Sequence, residues 1–523
     1  MSRQGSAALQ KLRALRGWKR FLAAFAAGVA GAFAQAPLYL LPLMALAFSA
    51  LVVLVDGARG GARAARAGFA IGWFFGFGYF LVSLYWVGFA FLVQAAEFGW
   101  MAPFAVSGLP AFLALFTGGA MALAARFEAG GWRRIFAVAF LYMLAEYARG
   151  HLLTGLPWNL PGQALAGTAA GAQSAALWGV YGLSLVALLI AMAPVAFIGA
   201  KNAARKGAIA CLASLGALYA AGGARLALTP AEDHSDAFVR IVQPNIPQRE
   251  KIDGDLWQRN YERHIAMSAG PGPASGRLFI LWPENAVPVI DEVKEGLDRL
   301  SAALPKNAIL VAGAVRRDTG PDGATRYFNA ISVIAETPQG RRAVAQYDKH
   351  HLVPFGEYLP LEGLLRRAGL AQLAPYDDGF DKGAGPSTIA VGGPAFAPLI
   401  CYEAIFPGRV YPAGRRPDWI ATVTNDSWFG DSAGPRQHFD QARLRAIETG
   451  LPMARSANSG VSGLIDGAGR VRGRIPLYEA GVIDAALPRA LAETFYAGFG
   501  DALFWLLMAG AGLAGFSVGR TRG

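Results

Sequence analysis

The sequence is poor in charge and almost free of cysteine. Of its 523 residues, 16% are Asp, Glu, Lys or Arg. Soluble domains carry roughly 25%, so an ordinary soluble protein is excluded. Cys211 and Cys401 are the only cysteines, which excludes a disulfide-rich scaffold and a cysteine-based zinc cluster. No internal repeat or low-complexity segment stands out. Acids are fewer than bases, leaving a formal net charge of +12. Such an excess fits nucleic acid, an anionic membrane surface or the inner face of a membrane protein, and its distribution has to decide.

Apolar side chains are abundant, at 54% of residues, and the mean hydropathy is +0.33. They concentrate in eight runs, at 21–35, 37–55, 67–94, 103–125, 135–149, 172–199, 207–224 and 498–518. Most approach or exceed the roughly 20 residues that cross a hydrocarbon layer. Basic residues fall between them in alternation. Arg3, Lys11, Arg13, Arg16, Lys19 and Arg20 precede the first run, and Arg59, Arg63 and Arg66 follow the second. Arg126, Arg133 and Arg134 follow the fourth, Lys201, Arg205 and Lys206 the sixth, and Arg520 and Arg522 the eighth. The positive-inside rule then puts both termini in the cytoplasm and the segment between runs seven and eight outside. The basic excess is a topology signal, and nucleic acid is not an expected partner. Ala34-Gln35-Ala36 looks like a signal-peptide cleavage site. Because Pro37 follows it directly and a second run starts at once, the first run is read as an uncleaved helix.

The expected organisation is a seven-helix membrane bundle over 1–230, a globular segment over 236–488, and a last membrane helix with a cytoplasmic tail over 496–523. In the globular segment, strand-like runs occur at Phe238–Val242, Leu278–Trp282, Ile309–Val315, Asn329–Ala335, Ala397–Ile400, Trp419–Val423, Met453–Ala457 and Val482–Ala485. Helical patterns lie at Asp255–Ala269, Val293–Ala303 and Gln437–Thr449. This mixture predicts a layered α/β domain. The strands alternate too poorly for a one-sided sheet, so they should be covered on at least one face.

Three places in that segment are chemically loaded. Glu284 ends an apolar strand in Leu281-Trp282-Pro283-Glu284-Asn285. Lys349 opens the polar run Lys349-His350-His351-Leu352-Val353-Pro354-Phe355-Gly356-Glu357-Tyr358. Cys401 stands where the strand Leu399-Ile400 meets the polar turn Tyr402-Glu403. A lone strand-end Glu is usually surface charge, and a lone Cys is usually a small buried hydrophobe. Adjacent histidines diverge in extended chain and have no partner set nearby, so no metal is expected. Together the three make a coherent set. A thiol needs a base or a cation, a carboxylate can take its proton, and an ammonium can stabilise an oxyanion. A strand-to-turn transition also exposes a nucleophile, and the backbone N–H of Tyr402 is a second candidate oxyanion donor.

The segments WPEN, YDKHHLVPFGEYLP, LICYEAIFP and TNDSWFG resemble the nitrilase (carbon-nitrogen hydrolase) superfamily. Combined with the flanking membrane spans, the chain resembles the bacterial apolipoprotein N-acyltransferases along nearly its whole length. That resemblance implies a polytopic membrane protein of about eight helices with an extracytoplasmic α-β-β-α sandwich. It implies Glu284 as general base, Lys349 as oxyanion stabiliser and Cys401 as nucleophile, with Glu357, Tyr402 and Glu403 supporting them. No cofactor and no metal are implied. The implied reaction passes an acyl chain from a phospholipid, typically phosphatidylethanolamine, through a Cys401 thioester. The chain ends on the N-terminal amine of a diacylglyceryl-cysteine apolipoprotein. A monomer in the bacterial inner membrane, with a periplasmic catalytic domain, is expected.

Asn425 and Trp428, in the TNDSWFG turn, are candidate lipid or substrate contacts. So are Leu364, Leu365, Arg366 and Arg367, in a segment at 360–376 that reads either as an interfacial arm dipping into the outer leaflet or as an amphipathic helix on the domain. Arg443, Arg445 and Glu448 read as structural, as do Glu146 and Arg149 at the end of the fifth run. The sequence departs from the family pattern at Ile252, where a tryptophan is common and Trp257 arrives later, and at Leu451, where a basic residue is common. Two other readings are a membrane-anchored amidase with the same triad and a non-enzymatic transporter or scaffold.

Overall fold

A computed structural model describes residues 9–60, 63–198, 200–288, 294–319, 323–360, 379–408 and 410–517. The chain divides into two units. The first comprises Met1–Thr229, Ser432–Leu444 and Thr494–Gly523, and the second Pro230–Asp431 and Arg445–Glu493.

The first unit is helical. A helix occupies each of the eight apolar runs: Gly17–Ala32, Leu41–Asp56, Ala64–Ser83, Ala102–Ala124, Gly131–His151, Ala175–Met192, Ala203–Leu228 and Ala502–Phe516. Among the described residues, four helical stretches, Ala64–Ser83, Ala95–Ala124, Ala175–Phe197 and Ala203–Leu228, are long and apolar enough to cross a membrane. The run at 67–94 is not one helix. It stops at Ser83 and resumes at Val87–Leu92, and the Trp86 indole donates back to the Ser83 carbonyl at 3.1 Å across the break. Small residues set the spacing between helices, as expected where no hydrophobic effect drives association. Gly68, Gly72 and Gly76 recur every fourth residue, and a Cβ on any of them would overlap Met121, Thr117 or Ala114 of Ala102–Ala124. Gly28, in the Ala/Gly-rich first helix, likewise meets the Phe75 carbonyl.

Several polar groups inside this unit are paired. Glu146 and Arg149 form a buried ion pair, in keeping with a structural role. The segment Ser432–Leu444, though within 236–488, belongs here and carries most of the helix Ala433–Thr449. Gln437 accepts from the indoles of Trp158 at 2.8 Å and Trp86 at 3.1 Å. It donates to the carbonyls of Ala36 at 3.2 Å and Ser83 at 3.3 Å. Tyr39 donates to Asp440, and Arg443 donates to the Ala166 carbonyl.

The second unit is built on two sheets. The strands are β1 Asp233–Gln243, β2 Arg277–Pro288, β3 Ala308–Thr319, β4 Thr325–Thr337, β5 Gly340–Asp348, β6 Phe396–Ile400, β7 Trp419–Thr424, β8 Met453–Ala457, β9 Ser462–Ile465, β10 Val471–Ile475 and β11 Gly481–Pro488. One sheet runs β11-β1-β2-β3-β4-β5, the other β10-β9-β8-β7-β6. Pairing is parallel for β1–β2–β3 and for β6–β7–β8.

Alternate residues of the first sheet serve two cores. Val239, Phe279, Leu281, Val311 and Val333 pack with Phe396, Trp419, Val423 and Leu464 of the second sheet. Ile280, Trp282, Leu310 and Ala312 pack outward onto Tyr261, Leu300 and Leu304. Tyr261 lies on the helix Trp257–Ser268, and Leu300 on Lys294–Ala303. Burial on both faces removes the polar alternation that a one-sided strand would show. Each fully buried large apolar side chain contributes about 1.5–3 kcal/mol, and both sheets supply many.

Candidate active site

Glu284 lies in a bulge within β2, Lys349 and Cys401 directly follow β5 and β6, and local structure aims each of them. Along β2 and β3 the register slips between Trp282 and Val287, so Pro283–Ala286 bulge from the ladder. A bulge re-aims side chains at a strand end. Two residues permit it. Asn285 takes a left-handed φ of 50°, and Gly313 lies so close to the Glu284 backbone that a Cβ there would collide with it. Lys349 immediately follows β5, its backbone N–H donating to the Asn329 carbonyl on β4 at 2.8 Å.

Cys401 follows β6 with a φ of 48° and opens the 3-10 turn Cys401–Ile405. For a non-glycine residue this backbone is strained. Glu403 holds it there. One of its carboxylate oxygens accepts from the Ile400 backbone N–H at 2.8 Å. The other accepts from the N–H groups of His350 at 2.9 Å and His351 at 3.2 Å, and from the Tyr347 hydroxyl at 2.9 Å. His350 Nδ1 lies 2.7 Å from that same oxygen. Burial opposes the charge on Glu403, but these partners, His350 foremost, hold its carboxyl below the usual range. His351 instead stacks on Phe406 with ring centroids 3.6 Å apart. The two histidines thus point to different partners.

The centre is a buried charge cluster. Lys349 Nζ lies 2.8 Å from Glu357 Oε1 and 3.3 Å from Glu284 Oε1. Asn329 Nδ2 donates to both carboxylates, at 2.7 Å to Glu284 and 2.6 Å to Glu357. Glu357 Oε2 accepts from the Val353 N–H at 2.8 Å. Burial disfavours the Lys349 ammonium, but Glu357 and Glu284 outweigh it and hold its pKa above the ordinary lysine value. The Cys401 thiol is pushed up, first by burial and then by Glu284, against the pull of Lys349 and a hydrogen bond with Thr424. The resting Cys401 is therefore a protonated thiol.

Two residues of this cluster escape a reading of the sequence. Asn329 lies within β4, and its only signal is an amide in a buried run whose one other polar residue is Ser332. Lys251 ends the short helix Gln248–Lys251. Its Nζ donates to the Glu284 carbonyl at 2.5 Å. Burial brings its amine down to about 8, while the charges of Glu284 and Cys401 act to raise it. Nothing in its exposed, polar sequence neighbourhood suggests this position.

The remaining candidates are spread out. Asn425 is buried, donating to Gln248 Oε1 at 2.9 Å and accepting from Asn458 at 3.3 Å. It braces the turn that carries Lys251. Asp426 pairs with fully buried Arg455 at 2.8 Å. Trp428 is half-buried in the turn Asp426–Phe429. Tyr402 is buried, its ring 5.1 Å from Phe406. Ile252 and Trp257 are both exposed. Arg445 pairs with Glu448 at 2.8 Å, and Leu451 is buried. Leu364, Leu365, Arg366 and Arg367 lie outside the described residues.

Comparison with known proteins gives two family matches. Residues 27–193 match the apolipoprotein N-acyltransferase N-terminal domain, and residues 238–496 match the carbon-nitrogen hydrolase family. The apolipoprotein N-acyltransferase of Rhodopseudomonas palustris is 40% identical over 93% of this chain and 92% of its own. The Allorhizobium ampelinum protein of that name is 40% identical over 95% of this chain and 96% of its own. Among solved structures, a mutant amidase of the nitrilase superfamily from Nesterenkonia AN1 covers 54% of this chain and 99% of its own, at 20% identity and a TM-score of 0.36.

Proposed function

Because the chain belongs to the apolipoprotein N-acyltransferase family, we propose that Glu284, Lys349 and Cys401 carry its acyl transfer. The observation behind this assignment is the buried cluster of Glu284, Lys349, Glu357 and Asn329 set beside a strained cysteine at a strand end. Glu284 takes the Cys401 proton as Sγ attacks the ester carbonyl of a phospholipid, with phosphatidylethanolamine as the typical donor. The Lys349 ammonium and the Tyr402 backbone N–H stabilise the tetrahedral oxyanion. Its collapse returns the proton from Glu284 to the departing lysophospholipid oxygen and leaves a thioester. The α-amine of a diacylglyceryl-cysteine apolipoprotein then attacks the thioester carbonyl. Glu284 accepts the amine proton, and the thiolate leaves and is reprotonated. A thioester accepts an amine far more readily than an oxygen ester does, which is the gain from splitting the reaction in two.

In this reading Glu357 positions Lys349, and Glu403 positions Cys401. Trp428, Leu364, Leu365, Arg366 and Arg367 meet lipid, and Asn425 supports the site from behind. The enzyme is a monomer with eight spans in the bacterial inner membrane, both termini cytoplasmic and the second unit periplasmic. No cofactor takes part. A water-using amidase and a transporter or scaffold are not favoured, since the relatives of nearly equal length are named as acyltransferases.

The test is to incubate purified protein with phosphatidylethanolamine vesicles and look for a hydroxylamine-labile acyl adduct on Cys401. A diacylated lipopeptide should discharge the adduct onto its amine. No adduct on the wild type, or an equal adduct on Cys401→Ala, overturns the assignment. Discharge to water alone would point to the amidase.

A further inference from the structure

We propose that Lys251 is the second cation of this site, a positioning residue that balances its charge so that the Cys401 thiolate can form. The inference rests on the acyl-transfer reading above and deepens it. The argument starts from a count of charges. Lys349 faces two carboxylates, Glu284 and Glu357, so these three groups alone carry a net negative charge. Moving the Cys401 proton to Glu284 does not change that total; it shifts one negative charge onto sulfur. Without a further cation, a thiolate would form in a pocket already negative. Asp426, within 4.8 Å of Sγ, adds to the opposition to a thiolate even though Arg455 pairs with it at 2.8 Å.

Lys251 supplies the missing charge. Its Nζ is anchored on the Glu284 carbonyl at 2.5 Å, the residue that must take the thiol proton. With Lys251 charged, the set sums to zero both before and after proton transfer. The lysine is held in place by a built network. The Asn245 N–H donates to the Asn458 carbonyl at 2.9 Å. Asn458 Nδ2 donates to the Ile246 carbonyl at 2.8 Å, and Asn425 Nδ2 donates to Gln248 Oε1 at 2.9 Å. Three amide side chains and one backbone hydrogen bond thus fix a helix of four residues whose last member reaches the base. The groups whose charges bear on the Lys251 amine are Glu284, Cys401 and His264, and the last is neutral near pH 7, brought down to about 3 by burial.

The test uses the full chain and a reaction that needs no lipid, alkylation of Cys401 by iodoacetamide, read at the Cys401 peptide by mass spectrometry so that Cys211 is counted apart. Lys251→Met should slow the reaction about tenfold at pH 7, and Lys251→Arg should restore it to within about threefold, a one-unit change in thiol pKa being tenfold in thiolate. The difference between wild type and Lys251→Met should narrow as pH rises through about 8, where Lys251 loses its charge. A Lys251→Met chain that does not fold is replaced by Lys251→Gln under the same criterion. Alkylation of the uncharged variant at the wild-type rate, or an arginine variant as slow as it, overturns the proposal. A wild type that alkylates normally but forms no acyl adduct would sink the acyl-transfer reading and leave this result standing.

Discussion

Replacing Glu357 by Gln exchanges one oxygen for an NH₂ group and should cost most of the activity. The native carboxylate accepts three hydrogen bonds, from Lys349 at 2.8 Å, Asn329 at 2.6 Å and the Val353 N–H at 2.8 Å. A carboxamide can satisfy only one side. If its oxygen keeps Lys349 and Asn329, its NH₂ faces the Val353 N–H; if it is turned over, its NH₂ faces an ammonium and an amide. One donor–donor contact is unavoidable, and Lys349 loses one of its two counter-charges. Hydrogen bonds to charged groups are worth about 1.5–3 kcal/mol. A loss of about 3 kcal/mol in the placement of Lys349 corresponds to roughly 100-fold in rate, at about 1.4 kcal/mol per tenfold. Lys349 would also be drawn onto Glu284, 3.3 Å away, tying up the base. The assay is single-turnover formation of the hydroxylamine-labile Cys401 adduct, followed beside the thermal midpoint. The expected result is slow acylation in a folded protein, because Glu284 still neutralises Lys349. An acylation rate within about threefold of wild type would refute the assignment of Glu357 as the residue that positions Lys349, since the lost bonds alone predict far more.

Three further outcomes follow, two from the structure and the third from the sequence. His264 is buried, its Nδ1 donating to the Asn260 carbonyl at 2.7 Å, and its pKa is brought down to about 3. Between that value and the unfolded value of about 6.5, only the unfolded state binds the proton, so stability falls with acid by up to about 1.4 kcal/mol per pH unit. This contribution is complete above the unfolded value and is lost downward; His264→Gln should flatten the fall in thermal midpoint from pH 6.5 to 4, and equal slopes would count against it. Gln437→Leu removes the acceptor that the buried Trp158 indole donates to at 2.8 Å, while Trp86 keeps the Ser83 carbonyl; the cost should be about 1–3 kcal/mol, and an unchanged thermal midpoint would count against this role of Gln437. Leu364→Ser with Leu365→Ser should slow acyl-enzyme formation on vesicles while leaving alkylation of Cys401 untouched; a normal acylation rate removes these leucines from the lipid contacts.

Much of the fold is legible in the sequence because its signals are local. Eight apolar runs became helices, and all eight strand-like runs fall inside β-strands. Gly340–Asp348, Ser462–Ile465 and Val471–Ile475 were missed. The first and third carry mostly arginine and exposed positions, and the second is only four residues long. The candidate nucleophile and base are readable because each stands where an apolar strand turns polar, and the candidate lysine because it sits in a run, YDKHHLVPFGEYLP, that resembles the nitrilase superfamily. Asn329 and Lys251 were not. The first is one amide within a strand, and the second acts on a residue 33 positions away through a single hydrogen bond. Such contacts exist only once a bulge in β2 and a brace of asparagines have brought distant segments together. The role of Glu403 was visible only as proximity to Cys401. That one carboxylate gathers β6, Tyr347 and the two histidine amides is a property of the folded chain.

The helix Ala433–Thr449 bears on how this protein can be dissected in the laboratory. A soluble fragment cut at 236 and 488 would look complete by sequence, since it contains every strand from Phe238 onward. It would nevertheless leave with Gln437, Asp440 and Arg443, whose partners Trp86, Trp158, Tyr39 and Ala166 stay behind in the membrane-embedded remainder. The released piece would present a helix face shaped for another surface and would be prone to self-association. The remainder would need detergent or lipid to cover the slot. The limits of the globular segment along the sequence and the limits of the folded unit do not coincide here, and expression of the whole chain is the sounder route to material.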